Sequence, residues 1–354
     1  MYVRARGKAI GALSPLQQLL DTFLGGDQPP RVSGLHNEGL RKRMVEWGFA
    51  ADQDWTPIWR EMARGITEGS GAATVRTAED LWENSGPLPV ISYHAQGGAD
   101  SSSIFLHNEA WLSVNGMHSS HGAHDTPVWE WIARDWALTP AKPTLDLEPN
   151  YEDHPFSPWP SWDPATGYFR DLDVRKQVYR SVFAGGCGVT YGHHAVWQMA
   201  GKRYEVINHA DRDWMDAMCR PAGRQMGFLR ALMESRPYFT RVPEQSMVVV
   251  VAGSPAGGEG ALHVVATRDE NGSYAFVYFP ASELKVKIDL RKLRGKNLRA
   301  WWYDPRTGIG TLAGTVEASS HSEWKSPAHG PDWVLVLDDV AAGYVAPGLE
   351  KLRE

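Results

Sequence analysis

The sequence has few cysteines and no long apolar run. Its 354 residues include two cysteines, Cys187 and Cys219, which are too few for a disulfide framework and lie outside any Cys-x-x-Cys pair. No apolar run approaches the roughly 18 residues that a membrane-spanning helix needs. We therefore expect no membrane partner and no site built on cysteine, and we expect both cysteines to be small buried residues.

The start of the chain also lacks the marks of a signal peptide. The stretch MYVRARGKAIGALSP carries basic residues but has neither a continuous apolar region nor a cleavage site. The expected localisation is therefore cytoplasmic if this start is native, and secreted or periplasmic if a leader segment is missing.

The charge balance lacks a basic excess, whereas aromatic residues are abundant. Lysine and arginine total 36 against 42 for aspartate and glutamate, which gives a net charge of −6 and disfavours a nucleic-acid partner. The 16 tryptophans, 12 tyrosines and 10 phenylalanines often stand beside glycine, histidine or aspartate in expected loops. Exposed aromatic faces stack on sugar rings, so the composition favours a carbohydrate partner.

The chain is organised around residues 143–152, Pro-Thr-Leu-Asp-Leu-Glu-Pro-Asn-Tyr-Glu. An extended run stops at a proline directly after Glu148, which predicts a strand end, and the carboxyl ends of parallel strands are where catalytic groups gather. Four carboxylates crowd this point: Asp146, Glu148, Glu152 and Asp153. They indicate either a general acid/base site or a solvated acidic loop.

Strands and helices alternate up to about residue 236, as in βα units. Strands are expected near residues 20, 90, 114, 146 and 189, and helices over residues 55–69, 127–138, 173–184 and 221–235. Short strands then follow at residues 247–251, 262–267, 274–278, 285–290, 298–303 and 333–337, as in an antiparallel β-sandwich. We expect a partial (β/α) barrel over residues 1–240, a sandwich over 241–342 and a tail over 343–354.

Several motifs in this order resemble the apiosidase-like glycoside hydrolases. They are Gly-Gly-Asp at 25–27, Tyr-His at 93–94, Glu-Pro-Asn-Tyr-Glu at 148–152, and Ala-Gly-Gly-Cys-Gly-Val-Thr-Tyr-Gly-His-His at 184–194, which leads to Trp197. Residues 274–280 and 300–308 look like the β-sandwich commonly fused to these enzymes and labelled a collagen-binding domain. The resemblance covers about residues 20–340.

The resemblance implies a (β/α)8 TIM-barrel-type fold and a retaining two-carboxylate mechanism without a cofactor or metal. It assigns the acid/base to Asp27 and the nucleophile to Glu148; Glu152 remains the rival nucleophile within the same stretch. A retaining enzyme needs its two carboxyl groups about 5 to 5.5 Å apart, which two strand ends of one barrel can provide. The expected substrate is an oligo- or polysaccharide, with apiose-containing pectic side chains suggested by the family alone.

Further polar and aromatic residues fall at or just past expected strand ends. They are expected to bind sugar hydroxyls, hold the carboxylates or stack on sugar rings, unless they are structural loop residues: His94, Asn115, His121, Tyr151, Glu152, Tyr191, His193 and Trp197.

The sequence departs from the family before Gly-Gly-Asp. Members carry about three βα units there, whereas 24 residues precede the motif here, and a βα unit takes roughly 30 residues. We therefore expect an N-terminally truncated barrel of about five strands, with an open edge near residues 16–24 through which the chain could self-associate.

Two other functions fit the pattern. Histidines in glycine- and serine-rich loops allow a metal-dependent hydrolase, although no His-Glu-x-x-His helix is present: His118, His121, His124, His193 and His194. A truncated barrel and a sandwich could instead bind glycan without cleaving it.

Overall fold

The computed structural model describes residues 56–70, 89–95, 100–156, 162–203, 205–249, 260–318 and 320–348. The strand expected near residue 20, its open edge and Asp27 lie outside these residues. The chain divides into two compact units, Met1–Ser120 with Arg134–Leu147 and His121–Ala133 with Glu148–Glu354. Among the helices described, none has the length and apolar character required to cross a bilayer.

The first unit holds a small sheet. Helix α1 (Thr56–Gly69) buries Thr56, Ala63 and Thr67, which share one helical face. Strand β1 (Asp100–Ser101) and helix α2 (Ser103–Leu106) precede β2 (Asn115–His118). After helix α3 (Val128–Trp136), strand β3 (Thr144–Asp146) pairs with β2 in parallel, while β1 pairs with β2 antiparallel.

The parallel β2–β3 pair corrects one expectation. Asn115 was expected at the end of a strand, but it is the first residue of β2 and pairs in register with Thr144, the first residue of β3. Strands near residues 114 and 146 are thus present. Asn115, however, lies at the amino-terminal end of this strand pair, away from Asp146. Near residue 90, Ser92 forms a single parallel bridge with Val114.

The first part of the second unit is mainly helical. Its helices and one short strand are α4 (Asp171–Phe183), β4 (Gly188–Val189), α5 (His194–Trp197), α6 (Trp214–Ala217) and α7 (Pro221–Glu234), with a 3-10 turn at Pro164–Thr166. The carboxylate of Asp173 accepts the amide of Arg170 and so caps α4. A proline opens α7, where no amide donor is needed.

The two cysteines depart from expectation. Cys187 follows the glycines that end α4, and Cys219 follows α6, and both are exposed. Turns at helix ends lie at the surface, which is why these small residues are not buried.

Antiparallel strands form the rest of the second unit, as the sequence predicted. They are β5 (Arg241–Pro243), β6 (Val248–Val249), β7 (Val265–Asp269), β8 (Tyr274–Phe279), β9 (Lys285–Asp289), β10 (Asn297–Asp304), β11 (Ile309–Glu317), β12 (His321–Lys325) and β13 (Trp333–Asp339), with 3-10 turns at Gln245–Met247, Gly260–Leu262, Leu290–Lys292 and Val340–Ala342. A six-stranded sheet has the order β11-β10-β13-β8-β7-β5, and a three-stranded sheet has the order β12-β9-β6.

Strands β8 and β13 of the six-stranded sheet are buried on both faces. On β8, Val277 and Phe279 belong to the same apolar core as Val286 and Ile288 of β9, in the three-stranded sheet. On its other face, Tyr278 stacks on Tyr179 of α4 with ring centroids 5.0 Å apart. The helices of this unit therefore pack on the sheet that the sequence places in the sandwich. The described residues do not confirm the expected count of five barrel strands.

Candidate active site

Glu148 comes just after β3, and its carboxylate is held by a histidine of the second unit. The Oε1 atom of Glu148 lies 3.1 Å from Nε2 of His121, and the side chains are 25 % and 7 % exposed respectively. The backbone amide of Tyr151 donates to Nδ1 of His121 at 3.3 Å. Because Nδ1 accepts, Nε2 carries the proton in the neutral imidazole and donates it to Glu148. The site thus holds a partly exposed carboxylate against a fixed N–H donor.

Aromatic rings surround this histidine. The ring of Tyr151 lies 4.6 Å from His121, and the ring of His154 stacks on His121 at 4.3 Å with an interplanar angle of 25°. His154 in turn contacts the ring of His194 at 4.2 Å and the indole of Trp162 at 4.8 Å. Five rings therefore form one connected cluster, which we call the histidine stack (His121, Tyr151, His154, Trp162 and His194).

Burial keeps two histidines of this stack neutral. Burial, with the neighbouring His121 and His194, lowers the pKa of His154 to about 2. Burial also lowers the pKa of His194 to about 4. Both rings are therefore uncharged at neutral pH, so neither of them places a positive charge near the carboxylate of Glu148.

Glu152 is buried in a second cluster. Its side chain has no exposure, and Oε2 accepts hydrogen bonds from the hydroxyl of Tyr191 at 2.8 Å and from the amide of Ala222 at 3.2 Å. Burial raises the pKa of Glu152, and these two donors, with Arg220, act in the opposite direction. The carboxylate of Glu152 contacts the first turn of α7 through the amide of Ala222. Amide groups and the helix dipole at this helix end favour a negative charge.

Asp153 accepts from three positively charged or polar groups. Nδ1 of His193 accepts the amide of Ala195 at 3.1 Å, so Nε2 of His193 carries the proton and donates to Asp153 at 3.1 Å. Arg212 and Arg220 lie 3.0 and 2.8 Å from the same carboxylate. Burial opposes ionisation of Asp153, but His193 and both arginines outweigh it and hold its pKa below the ordinary value.

The backbone of residues 151–155 lies beside residues 192–194. The amide of Glu152 donates to the carbonyl of Gly192, and the amide of His194 donates to the carbonyl of Glu152. The ring of Tyr151 packs directly on Gly192, where a Cβ atom would overlap the ring. The ring of Tyr151 can therefore occupy this position only because residue 192 is a glycine.

Trp197 lies at the exposed end of α5. Its side chain is 49 % exposed, and its indole N–H donates to Nδ1 of His194 at 3.3 Å. That bond, with the ring contact of 6.1 Å between the two residues, orients an exposed aromatic surface beside the histidine stack. Tyr191 is also partly exposed to solvent, with 36 % of its surface accessible.

The second unit thus brings together most of the residues expected in the site. They are Glu148, His121, Tyr151, Glu152, Tyr191, His193 and Trp197. His94 and Asn115 belong to the first unit: Nδ1 of His94 lies 3.0 Å from the carbonyl of Ala95, and Asn115 is buried. Their expected contact with a sugar stays a prediction, and so does the role of Asp27, which lies outside the described residues.

Each of the five histidines proposed for a metal hydrolase uses at least one ring nitrogen in a protein hydrogen bond. His121 and His193 have a partner at both nitrogens, as described above, and His194 contacts the carbonyl of Asn208 and the indole of Trp197. His124 lies 2.9 Å from Asp173. These pairings disfavour a metal at His121, His193 and His194, because the same nitrogens would have to bind the ion. In His118, the fifth histidine of that alternative, Nδ1 lies 3.0 Å from the carbonyl of Ala95.

Sequence reasoning did not select His154, Trp162, Arg212 or Arg220. His154 follows the acidic stretch directly, so its position was an available signal. The two arginines stand in a polar segment far along the chain from Asp153, and no local pattern marks them. Only the folded chain brings them to the carboxylate.

Two family models match most of the chain. A family model described as "Apiosidase-like, catalytic domain" matches residues 23–240, and one described as "Putative collagen-binding domain of a collagenase" matches residues 242–338. These matches confirm both parts of the resemblance drawn from the motifs. No curated protein sequence matches this chain significantly.

Two solved structures are similar over much of the chain. One, described as a glycoside hydrolase, is 30 % identical with a TM-score of 0.65 and covers 72 % of this chain and 59 % of its own. A family 5 glycoside hydrolase from Bacteroides vulgatus ATCC 8482 is 29 % identical with a TM-score of 0.71 and covers 84 % of this chain and 64 % of its own. The chain spans about three fifths of the length of these structures.

Proposed function

The chain belongs to the apiosidase-like family, and on that premise we propose that it is a retaining glycoside hydrolase whose nucleophile is Glu148. One observation carries this proposal. Glu148 is partly exposed and faces a fixed N–H donor, whereas the side chains of Glu152 and Asp153 are 0 % and 1 % exposed. An attacking carboxylate must reach the substrate, which favours Glu148 over its rival Glu152.

The proposed reaction has two steps. Glu148 attacks the anomeric carbon as the glycosidic C–O bond breaks, and Asp27 protonates the departing oxygen. Asp27 then removes a proton from water, which attacks the anomeric carbon of the glycosyl-enzyme ester. The bond to Glu148 breaks, and the sugar leaves with its original anomeric configuration. The assignment of Asp27 rests on the Gly-Gly-Asp motif alone. The hydrogen bond from His121 orients Glu148 for the first step.

Aromatic side chains provide the proposed sugar contacts. Trp197 presents an exposed indole, and Tyr151 packs beside His121, so both rings suit stacking on the C–H faces of a sugar. His94 and Tyr191 are proposed to bind hydroxyl groups of the substrate. Glu152 and His193 are buried, and we assign them a supporting role behind these contacts.

The proposed substrate is a side chain of a plant or microbial polysaccharide. The family name suggests apiose as the sugar next to the cleaved bond. The match to a collagen-binding model adds no evidence on the substrate, because function is set by a site and not by a fold.

Mass spectrometry of the intact protein tests this proposal. The parent is incubated with a panel of 2-fluoro glycosyl fluorides that includes a furanosyl reagent, beside Glu148→Gln and the control Glu323→Gln on an exposed part of β12. We expect one covalent adduct on the parent and the control, and none on Glu148→Gln. An adduct that persists on Glu148→Gln would assign the nucleophile elsewhere.

A folded parent that no reagent labels would favour the alternative of a glycan-binding protein without hydrolysis. That alternative has one observation behind it, since the exposed indole of Trp197 can stack on a sugar ring without any step of hydrolysis. Glycan binding retained by Asp27→Asn and Glu148→Gln, without turnover by the parent, would support it.

A further inference from the structure

His154 is packed between several side chains, next to His121. It is 3 % exposed, and its Nδ1–H donates to the carbonyl of Pro155 at 2.6 Å. The indole of Trp162 meets it edge-on at an interplanar angle of 84°, and the ring of His194 crosses it at 63°. A ring held by a hydrogen bond and two perpendicular neighbours cannot rotate without breaking these contacts.

The remaining face of His154 supports His121. The two imidazoles are nearly parallel, at 25° and 4.3 Å, so the plane of His154 fixes the plane of His121. His121 must keep that plane to accept from the amide of Tyr151 and donate to Glu148 at the same time. A small rotation would lengthen both hydrogen bonds, which weaken steeply as their angles worsen.

The charge state of His154 suits this support. The titratable groups that face it are His121, His194 and Glu148, and its low pKa keeps it neutral. A neutral His154 therefore adds no positive charge beside His121 and Glu148.

We propose that His154 is a positioning residue, whose fixed imidazole holds His121 in the one orientation that donates a hydrogen bond to Glu148. The inference rests on the proposed function for the role of Glu148. The contact between His154 and His121, however, can be tested whether or not Glu148 is the nucleophile.

The kinetic test compares His154→Ala, which removes the ring, with His154→Phe, which keeps a flat ring of similar size. The measured quantity is the rate of glycosyl-enzyme formation per folded molecule, with the reagent that labels the parent. We expect His154→Ala to slow labelling about 10- to 100-fold, since misplacement by about 1 Å can cost about 100-fold in rate. His154→Phe should recover most of the loss, and the affinity for the reagent should change little in either variant.

A double-mutant cycle with His121→Ala separates positioning from general stability. If His154 acts through His121, then His154→Ala causes no further slowing once His121 is already alanine. Multiplying effects in the double variant, or a His154→Ala protein that labels at the parent rate, would overturn the inference.

Nuclear magnetic resonance of the histidine ring nitrogens gives a readout without activity. In the parent, we expect His121 to show the Nε2–H tautomer with a hydrogen-bonded proton, assigned by its loss in His121→Phe. In His154→Ala that proton signal should broaden or shift toward free imidazole. An unchanged signal would refute the positioning role even if Glu148 labels as proposed. A changed signal in a protein that no reagent labels would instead count against the proposed hydrolase function and leave the positioning role in place.

Discussion

The hydroxyl of Tyr191 donates a 2.8 Å hydrogen bond to the fully buried carboxylate of Glu152, and the amide of Ala222 donates to the same oxygen. The carboxylate thereby connects the loop after β4 to the first turn of α7. Burial nevertheless raises the pKa of Glu152 above its ordinary value of 4.5, because the donors do not fully replace water. The folded protein therefore holds this proton more tightly than the unfolded chain.

Stability should consequently depend on pH through Glu152. Between the ordinary and the raised pKa, the folded state binds more protons than the unfolded state, so the free energy of unfolding falls as pH rises. In Glu152→Gln this contribution is absent. We expect the stability of the parent, relative to the variant, to decrease with rising pH across that interval and to level off above it. Urea denaturation from about pH 4 to about pH 8 measures this difference. Curves that stay parallel would contradict the prediction, and Glu323→Gln serves as the exposed control.

Gly192 provides a second prediction. In Gly192→Ala the new methyl group would overlap the ring of Tyr151, so Tyr151 must move away from His121. We expect a loss of about 1–3 kcal/mol in the free energy of unfolding, with slower labelling of Glu148. Gly227→Ala is the matched control, because it lies in α7 with nothing within 4 Å of the added group. The control should be stabilised by about 0.4–1 kcal/mol. Equal effects in the two variants would show that the ring is not constrained by Gly192.

Much of the helical and central strand structure could be predicted from local patterns. The predicted helices at residues 173–184 and 221–235 agree within two residues with α4 and α7, because apolar spacing and terminal signals coincide there. Strands β1, β5, β11 and β12 were missed. Strand β11 contains two glycines and is largely exposed, so it lacks the alternation of a half-buried strand.

The candidate site was predictable only in part for a similar reason. Glu148 and His121 follow strand-like segments, and local sequence marks them. The contacts of Asp153 with Arg212 and Arg220 join residues 59 and 67 positions apart, and only tertiary packing brings them together. Asn115 was placed at the wrong strand end, because an apolar run shows where a strand lies more clearly than where it starts.

A third prediction concerns the buried pair of Arg175 and Asp332, which connects α4 to the turn before β13. The guanidinium lies 2.9 Å from the carboxylate, and both side chains are at most 1 % exposed. Burial raises the pKa of Asp332 even though Arg175 favours its ionised form. In Arg175→Met, an uncompensated carboxylate would remain in the interior. We expect a loss of about 3–5 kcal/mol in the free energy of unfolding.

The control for this variant is Arg230→Met in α7. Arg230 pairs with Glu234 at 2.7 Å, but the two side chains are 77 % and 49 % exposed. We expect a change below about 0.5 kcal/mol, because solvent screens the pair. Adding Asp332→Asn to Arg175→Met should restore part of the stability, since the buried charge is then removed. A double variant no more stable than Arg175→Met would count against this account.

The last prediction concerns a chain that ends at residue 240. In the whole protein, Tyr179 and Phe183 of α4 pack on Tyr278 and Phe276 of β8 with centroids 5.0 and 5.9 Å apart. Truncation would expose these rings and leave Arg175 without Asp332, so the shortened chain should aggregate or lack fixed tertiary structure. Near-ultraviolet circular dichroism and light scattering measure this. Co-expression with a separate 241–354 chain is the control, and it should restore a soluble complex, because the same contacts can then form between chains. A soluble 1–240 chain that unfolds cooperatively near the temperature of the whole protein would show that the helices do not depend on the sheet.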